Sequence, residues 1–433
     1  MPDGYAGLYD ATVAHDLQPV PGRPVDDGFD YLDEAWLRSK PGVKWARAGD
    51  GVIPCWVADM DFPTPRPVRE ALADLAAEGD LGYSSGDENG LLEERWAARM
   101  AARFGWAPDG GQFRLFADVV QAVQVGIDLI TSPGDGILLL TPSYPPLWRA
   151  IEDSGRQLLA VPALETPDGW AFDLSVAEEL AAQAKLLLLC NPHNPTGRVL
   201  SMEELTRIGD LAERHGLVVI SDEVHADLVL DGRRHVPFAS LSQDLAARTV
   251  TLYSASKSYN LGGMRCAVGY VGAAEVERRL AALPSEMLGR VSVAAIASTL
   301  ASWSDPADAW LERCLARLRA NRDIIGQWLA GAGAEAGVRG FVSDGTYLTW
   351  LDFREARLGD DPATWLLEHA KVMLSGGTHF GPGGAGFARL NFATAPGLLE
   401  EALSRMARVL GQRAAGQGER RSLAKTAPGD RAS

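Results

Sequence analysis

A single lysine sits among small hydroxyls in Ser254-Ala255-Ser256-Lys257-Ser258, and a cation, Arg265, follows eight residues on. An amine in that setting suits phosphate binding or Schiff-base chemistry. Three further stretches carry complementary groups. Ser221-Asp222-Glu223-Val224-His225 offers a carboxylate and an imidazole, Asn191-Pro192-His193-Asn194-Pro195-Thr196-Gly197 an amide, and Thr141-Pro142-Ser143-Tyr144 an aromatic. Arg389, in Arg389-Leu390-Asn391-Phe392, is either a surface salt-bridge partner or a clamp for an anion. Tyr83, in Gly82-Tyr83-Ser84, falls in a loop, and Val119 and Val120 open a helix whose free amides suit a phosphate.

The elements that must position these groups are legible from apolar runs. Ile137–Leu140, Lys185–Leu189 and Leu217–Ile220 are continuous rather than alternating, the mark of strands buried on both faces in a parallel sheet, and Thr249–Tyr253 is a fourth, strand-like run. Between the second and third lies a helix opened by a Ser201/Glu204 capping box and stopped at Gly216. The chain is therefore expected to be α/β. Each strand end leads into one of the polar stretches, and ligands in open α/β sheets bind beyond the carboxyl ends of strands. Lysine, carboxylate, amide and aromatic are thus predicted to share one cleft. Thr64-Pro65 signals a helix start, with Thr64 as cap.

At 433 residues two domains are the default. The division expected is an N-terminal arm and part of a small domain at 1–60, a large domain at 61–304, a C-terminal small domain at 305–410 and a disordered tail at 411–433. A net charge of −16 argues against nucleic acid or an anionic membrane as partner. Four dispersed cysteines form neither a disulfide framework nor a zinc site. The start of the chain lacks the pattern of a signal peptide and no run reaches membrane-span length, so a cytoplasmic location is expected.

Taken together, NPHNPTG at 191–197, SDEVH at 221–225, SASK at 254–257 and RLNF at 389–392 resemble the fold-type-I pyridoxal-phosphate enzymes of the class I/II aminotransferase superfamily. VKW at 43–45, WVADMDF at 56–62, GYS at 82–84, His225 and TYLTWLD at 346–352 are similar to the cystathionine β-lyase (C–S lyase) branch of MalY/PatB type. The resemblance implies a large domain with a mainly parallel seven-stranded sheet and a smaller α+β domain. It implies pyridoxal 5′-phosphate as cofactor, a small amino acid as substrate and a homodimer with shared sites. Lys257 becomes the Schiff-base lysine and the Cα proton shuttle, and Asp222 the partner of the pyridine nitrogen. Asn194 and His225 would bond the ring oxygen and its neighbours, Tyr144 would stack on the ring, and Arg389 would clamp the α-carboxylate. The amides of Val119 and Val120, with Ser254, Ser256 and Arg265, would hold the phosphate, joined by Tyr83 from the neighbouring subunit. The bond before Pro195 is cis in this family.

The activity implied is α,β-elimination from an S-substituted cysteine to thiol, keto acid and ammonia. Gly262-Gly263-Met264-Arg265 departs from the branch, which commonly has an apolar pair and no arginine there. An arginine eight residues after the lysine is an aminotransferase habit. This leaves open an aminotransferase, or a tailoring relative that couples decarboxylation to deamination of a cysteine S-conjugate. A non-catalytic cofactor-binding regulator would carry a helix-turn-helix, which the first 60 residues lack, and no strand is followed by GxGxxG. Trp56, Trp303, Tyr347 and the glycine-rich loop 376–386 are candidates for the pocket mouth, and that loop could alternatively form a phosphate nest.

Overall fold

The apolar runs assemble into one sheet. In the computed structural model, which describes residues 27–426 apart from 85, 109, 110, 168, 285 and 286, its strands in chain order are β1 Gln112–Phe116, β2 Gly136–Thr141, β3 Gln157–Thr166, β4 Gly169–Phe172, β5 Ala184–Cys190, β6 Val218–Asp222, β7 Thr249–Tyr253 and β8 Ala267–Val271. Their spatial order is β1-β8-β7-β6-β5-β2-β3-β4. The block from β7 to β3 is parallel throughout, while β8 runs antiparallel to both of its neighbours. Apolar clusters lie on both faces of this sheet, as continuous apolarity requires.

The sheet has eight strands where seven were expected. Gly169, at φ 124°, turns the chain back so that Gly169–Phe172 pairs antiparallel with Ala163–Thr166 at the sheet edge.

A second, four-stranded antiparallel sheet is built from Arg339–Gly340, Leu348–Asp352, Phe387–Asn391 and Ser375–Gly376, in that spatial order. It packs with the helix Asp305–Ala330, whose buried stripe includes Trp310, Leu311, Leu315, Leu318 and Ile325. Ile53–Pro54 pairs in parallel with Val372–Met373, tying the N-terminal segment to this second unit.

The capping box at Ser201 and Glu204 forms as expected. The helix Arg66–Glu78 starts one residue later than expected, with Pro65 rather than Thr64 at its cap, because the Thr64 hydroxyl is turned to the Asn260 carbonyl at 3.4 Å. Residues 411–426, expected to be disordered, continue the helix Pro396–Thr426. Ala, Arg and Gln make up half of that stretch and favour helix over coil, enough to carry the helix past its three glycines. The expectations for 1–26 and 427–433 fall outside the described residues. Among the described residues no helix is long and apolar enough to cross a membrane.

Candidate active site

Four adjacent parallel strands, β7, β6, β5 and β2, end on one edge of the large sheet. Their exits carry Ser254 and Lys257, Asp222, Asn191 to Asn194, and Tyr144, so the sheet order itself brings the four polar stretches together. The second sheet supplies Arg389, which lies between Trp350 on one neighbouring strand and Ser375 on the other.

Lys257 rides on a four-residue helical turn, Ala255–Ser258, capped by Ser254. Its Nζ donates to the Ala58 carbonyl at 2.8 Å, and the buried Tyr347 hydroxyl donates to the same oxygen at 2.7 Å. Burial lowers the Lys257 amine from its ordinary value; Asp59 opposes that shift, Arg389 adds to it, and Asp222 opposes it. Asp59 is a carboxylate the sequence motifs did not single out. Its Oδ1 would lie 3.4 Å from a Cβ at Gly262, ordinary contact distance, so Asp59 sits against the segment that follows the lysine turn.

Asp222 is buried, and its Oδ1 accepts from the Val224 amide at 3.1 Å. Burial pushes its carboxyl up to about 6, with Glu223 adding to the rise and Lys257 opposing it. His225 is held well below the ordinary histidine range, first by burial and then by the positive charges of Lys257 and Arg389. It is therefore neutral near pH 7. Arg389 is buried too, and donates to Asn194 Oδ1 at 2.9 Å and to the Trp56 carbonyl at 2.7 Å. Burial brings its guanidinium down to about 10, so it stays charged at neutral pH.

Residues 57–406 match the family described as aminotransferase class I and II. The chain belongs to that family. Among its relatives, cystathionine beta-lyase PatB of Bacillus subtilis is 34% identical over 373 residues, covering 84% of this chain and 95% of PatB. The crystal structure of OvoB superposes with a TM-score of 0.80 at 35% identity, covering 86% of this chain and 97% of OvoB. Cystalysin from Treponema denticola, whose structure contains pyridoxal 5′-phosphate, superposes with a TM-score of 0.80 at 28% identity, covering 86% and 96% of the two chains.

The cofactor of this aminotransferase-family chain is pyridoxal 5′-phosphate, and the residues fit it. Among the described residues, buried His225 Nδ1, Ser143 Oγ and Arg389 Nε have no hydrogen-bond partner in the protein. Such groups are costly unless a ligand meets them. A buried carboxylate pushed up to about 6 suits a protonated ring nitrogen, which would return it to its charged form.

At the end predicted to hold the phosphate, Val119 and Val120 open the helix Val119–Ile130 ahead of the first bond of that helix, from the Ala122 amide to the Asp118 carbonyl. The Arg265 guanidinium ion-pairs with the Asp118 carboxylate, which itself caps this helix through the Gln121 amide at 2.7 Å. Ser254 is committed locally: its hydroxyl donates to the Cys266 carbonyl at 2.6 Å and accepts from the Ser256 amide at 3.1 Å. Ser256 is half-buried on the lysine turn. Tyr83 is 99% exposed, remote from this chain's own packing.

Tyr144 is half-buried, and its phenol is raised by burial against the pull of Arg389. The loop 376–386 is pinched together at its two ends, while its tip is exposed. A Cβ at Gly384 would fall 1.9 Å from the Gly377 carbonyl oxygen, so the two glycine backbones rest on each other. The loop meets the β2 exit where the Ser143 amide donates to the Phe380 carbonyl at 2.9 Å, and the Phe380 ring centroid lies 4.9 Å from the Arg389 guanidinium carbon. The Asn194–Pro195 bond is cis, as the resemblance implied. Trp303 is not at a pocket mouth: it is buried against Tyr253. Tyr347 is wholly buried as well, behind the lysine.

Proposed function

We propose that this enzyme cleaves the Cβ–S bond of an S-substituted cysteine, releasing a thiol, a keto acid and ammonia as a pyridoxal-phosphate-dependent C–S β-lyase. The observation that carries the proposal is the convergence of Lys257, Asp222 and Arg389 in one buried cleft. Likeness to PatB along 95% of that protein supports the choice of reaction.

Bound pyridoxal phosphate supplies the electron sink for charge developing at the substrate Cα. The chain's own residues do the rest. Arg389 clamps the substrate α-carboxylate through its fork, and Asn194 fixes the plane of that fork. Lys257, with its amine lowered by burial, takes the Cα proton. Asp222 holds a proton on the ring nitrogen, neutral His225 bonds the ring substituent, and Tyr144 covers one ring face. The amides of Val119 and Val120, with Ser256 and Arg265, would hold the phosphate, while Ser254, its hydroxyl given to the Cys266 carbonyl, caps the lysine turn instead of donating to it.

The exposure of Tyr83 supports a homodimer in which that side chain completes the partner's phosphate site. The same reading divides the chain near 304/305 into a large cofactor-binding unit and a small domain, the latter joined by part of the N-terminal 60 residues. It assigns the enzyme to the cytoplasm.

Purified protein with added cofactor is expected to absorb near ~420 nm, and Lys257→Ala to lose that band. An S-substituted cysteine should then yield free thiol with pyruvate. Aminotransfer is the second reading, favoured by Arg265 at the phosphate end. Amino transfer to a keto acid without thiol release would establish it in place of the lyase, and release of CO₂ would point to decarboxylation-coupled deamination.

A further inference from the structure

Behind the lysine turn lies a buried charged cluster that the reading above does not use. Asp227, five residues beyond Asp222, is wholly buried. Its Oδ1 accepts from Arg99 Nη2 at 2.8 Å and pairs with Arg103 Nε at 2.9 Å. Its Oδ2 accepts from Ser258 Oγ at 2.9 Å and from the Tyr253 hydroxyl. Arg99 reaches further, donating from Nη1 to Asp308 Oδ1 at 2.8 Å and from Nε to the Tyr253 hydroxyl at 2.8 Å. Asp308 also accepts from the Tyr259 hydroxyl at 2.5 Å.

The placement of these contacts matters more than their number. Tyr253 ends the strand that leads into the lysine turn, Ser258 directly follows Lys257, and Tyr259 follows Ser258. The turn is thus gripped on both flanks. A helix of four residues has almost no stability of its own, so its orientation must come from such contacts. We propose that Asp227 is the positioning residue for Lys257. Through Tyr253 and Ser258 it fixes the turn carrying the amine to the loop carrying Asp222 and His225. Through Arg99 and Asp308 it fixes both to the first turn of the helix Asp305–Ala330.

Asp227 suits that task because each of its oxygens accepts from two donors, two of the four donors being guanidinium groups. Charge-assisted bonds of this kind resist displacement. The groups that face Lys257 itself are the Ala58 carbonyl, which it shares with the Tyr347 hydroxyl, and Asp59, Arg389, Asp222 and His225. A shift of the turn moves the amine relative to all of them, and a displacement of about 1 Å at a reacting group can cost about a hundredfold in rate.

The test rests on the proposed role of Lys257 and uses the holoenzyme. Ser258→Ala removes the single bond between Asp227 and the residue after the lysine, leaving the arginines paired. The pH midpoint of the band near ~420 nm is measured alongside kcat, KM and Tm. The midpoint is expected to move by about half a pH unit and kcat to fall about tenfold, with KM within about twofold because Arg389 is untouched. Asp227→Asn is expected to move the midpoint further in the same direction. A lower Tm with both midpoint and kcat at wild-type values would make the cluster structural alone and overturn the proposal, as would a change in only one of them. Wild-type protein without the band sinks the Lys257 reading. Wild-type protein with the band and an unaltered Ser258→Ala sinks only the role of Asp227.

Discussion

Asp222 ends strand β6 and Asp227 lies five residues beyond it, both buried, and the fold treats them in opposite ways. Asp227 is met by two arginines, a tyrosine and a serine, and its carboxyl is held below the ordinary range by those charges and donors despite burial. Asp222 bonds one backbone amide and is pushed up to about 6. A carboxylate with its full set of protein donors is part of the scaffold. One that the protein leaves under-partnered at a strand end is prepared for something the protein does not itself provide. Burial alone therefore does not distinguish a functional acid from a structural one; the number and charge of its donors do.

The contrast can be broken in graded ways. The largest effect is expected at the amine both acids serve: Lys257→Ala should lose at least about a thousandfold in turnover with S-substituted cysteine, read as thiol release. Asp222→Asn should lower kcat about 10²–10³-fold and leave thermal stability of the cofactor-free protein equal or higher. Asp227→Asn should do the reverse in emphasis, costing about 3–5 kcal/mol in urea unfolding, because it leaves the buried Arg99 and the half-buried Arg103 against a neutral group.

Smaller effects follow from pH in the cofactor-free protein. The folded carboxyl of Asp222 lies above its ordinary value of 3.8, so the folded state holds its proton longer. Stability should therefore fall as pH rises from about 4 to about 6, by at most about 3 kcal/mol, and Asp222→Asn should flatten that slope in a Tm–pH series. Asp227 is depressed, so its contribution is present above about 4 and is lost as pH falls through its folded value; Asp227→Asn should flatten only the acid limb. Identical slopes in wild type and both variants would remove the distinction between the two acids. The smallest effect is the control: Ser201→Ala, at the capping box of the helix Met202–Arg214 and bonded to neither acid, should cost about 1 kcal/mol without changing kcat.

Most of the catalytic edge was legible because parallel strands advertise themselves. Four apolar runs, each ending in a polar stretch, fix which side chains share a sheet edge before any distance is known. What stayed hidden depends on contacts distant in sequence. Asp227 owes its setting to Arg99, 128 residues earlier, and to Ser258, 31 residues later. The clue available was an aspartate inside the apolar stretch Ala226-Asp227-Leu228-Val229-Leu230, a position that a charge occupies only when paired. Asp59 escaped notice because its relevance arises from its charge beside Lys257, 198 residues later in the chain. The edge strand Gly169–Phe172 is only four residues long, too short to show a period. The C-terminal residues 411–426 read as disordered from their polarity, yet the same residues are good helix formers.

The resting bond of Lys257 to Ala58 has a consequence for anyone who would re-engineer this enzyme. Its acceptor is a main-chain oxygen, so no exchange of side chain at position 58 removes it. The handles are indirect. Asn391 donates to the Val57 and Asp59 carbonyls at 2.6 and 2.7 Å, and Asn260 donates to those of Met60 and Phe62 at 3.1 and 2.9 Å. Asn391 thus holds the main chain on both sides of Ala58, and Asn260 holds it just beyond. A library aimed at the readiness of the lysine should therefore randomise these two asparagines, which set the path of the segment that carries the acceptor.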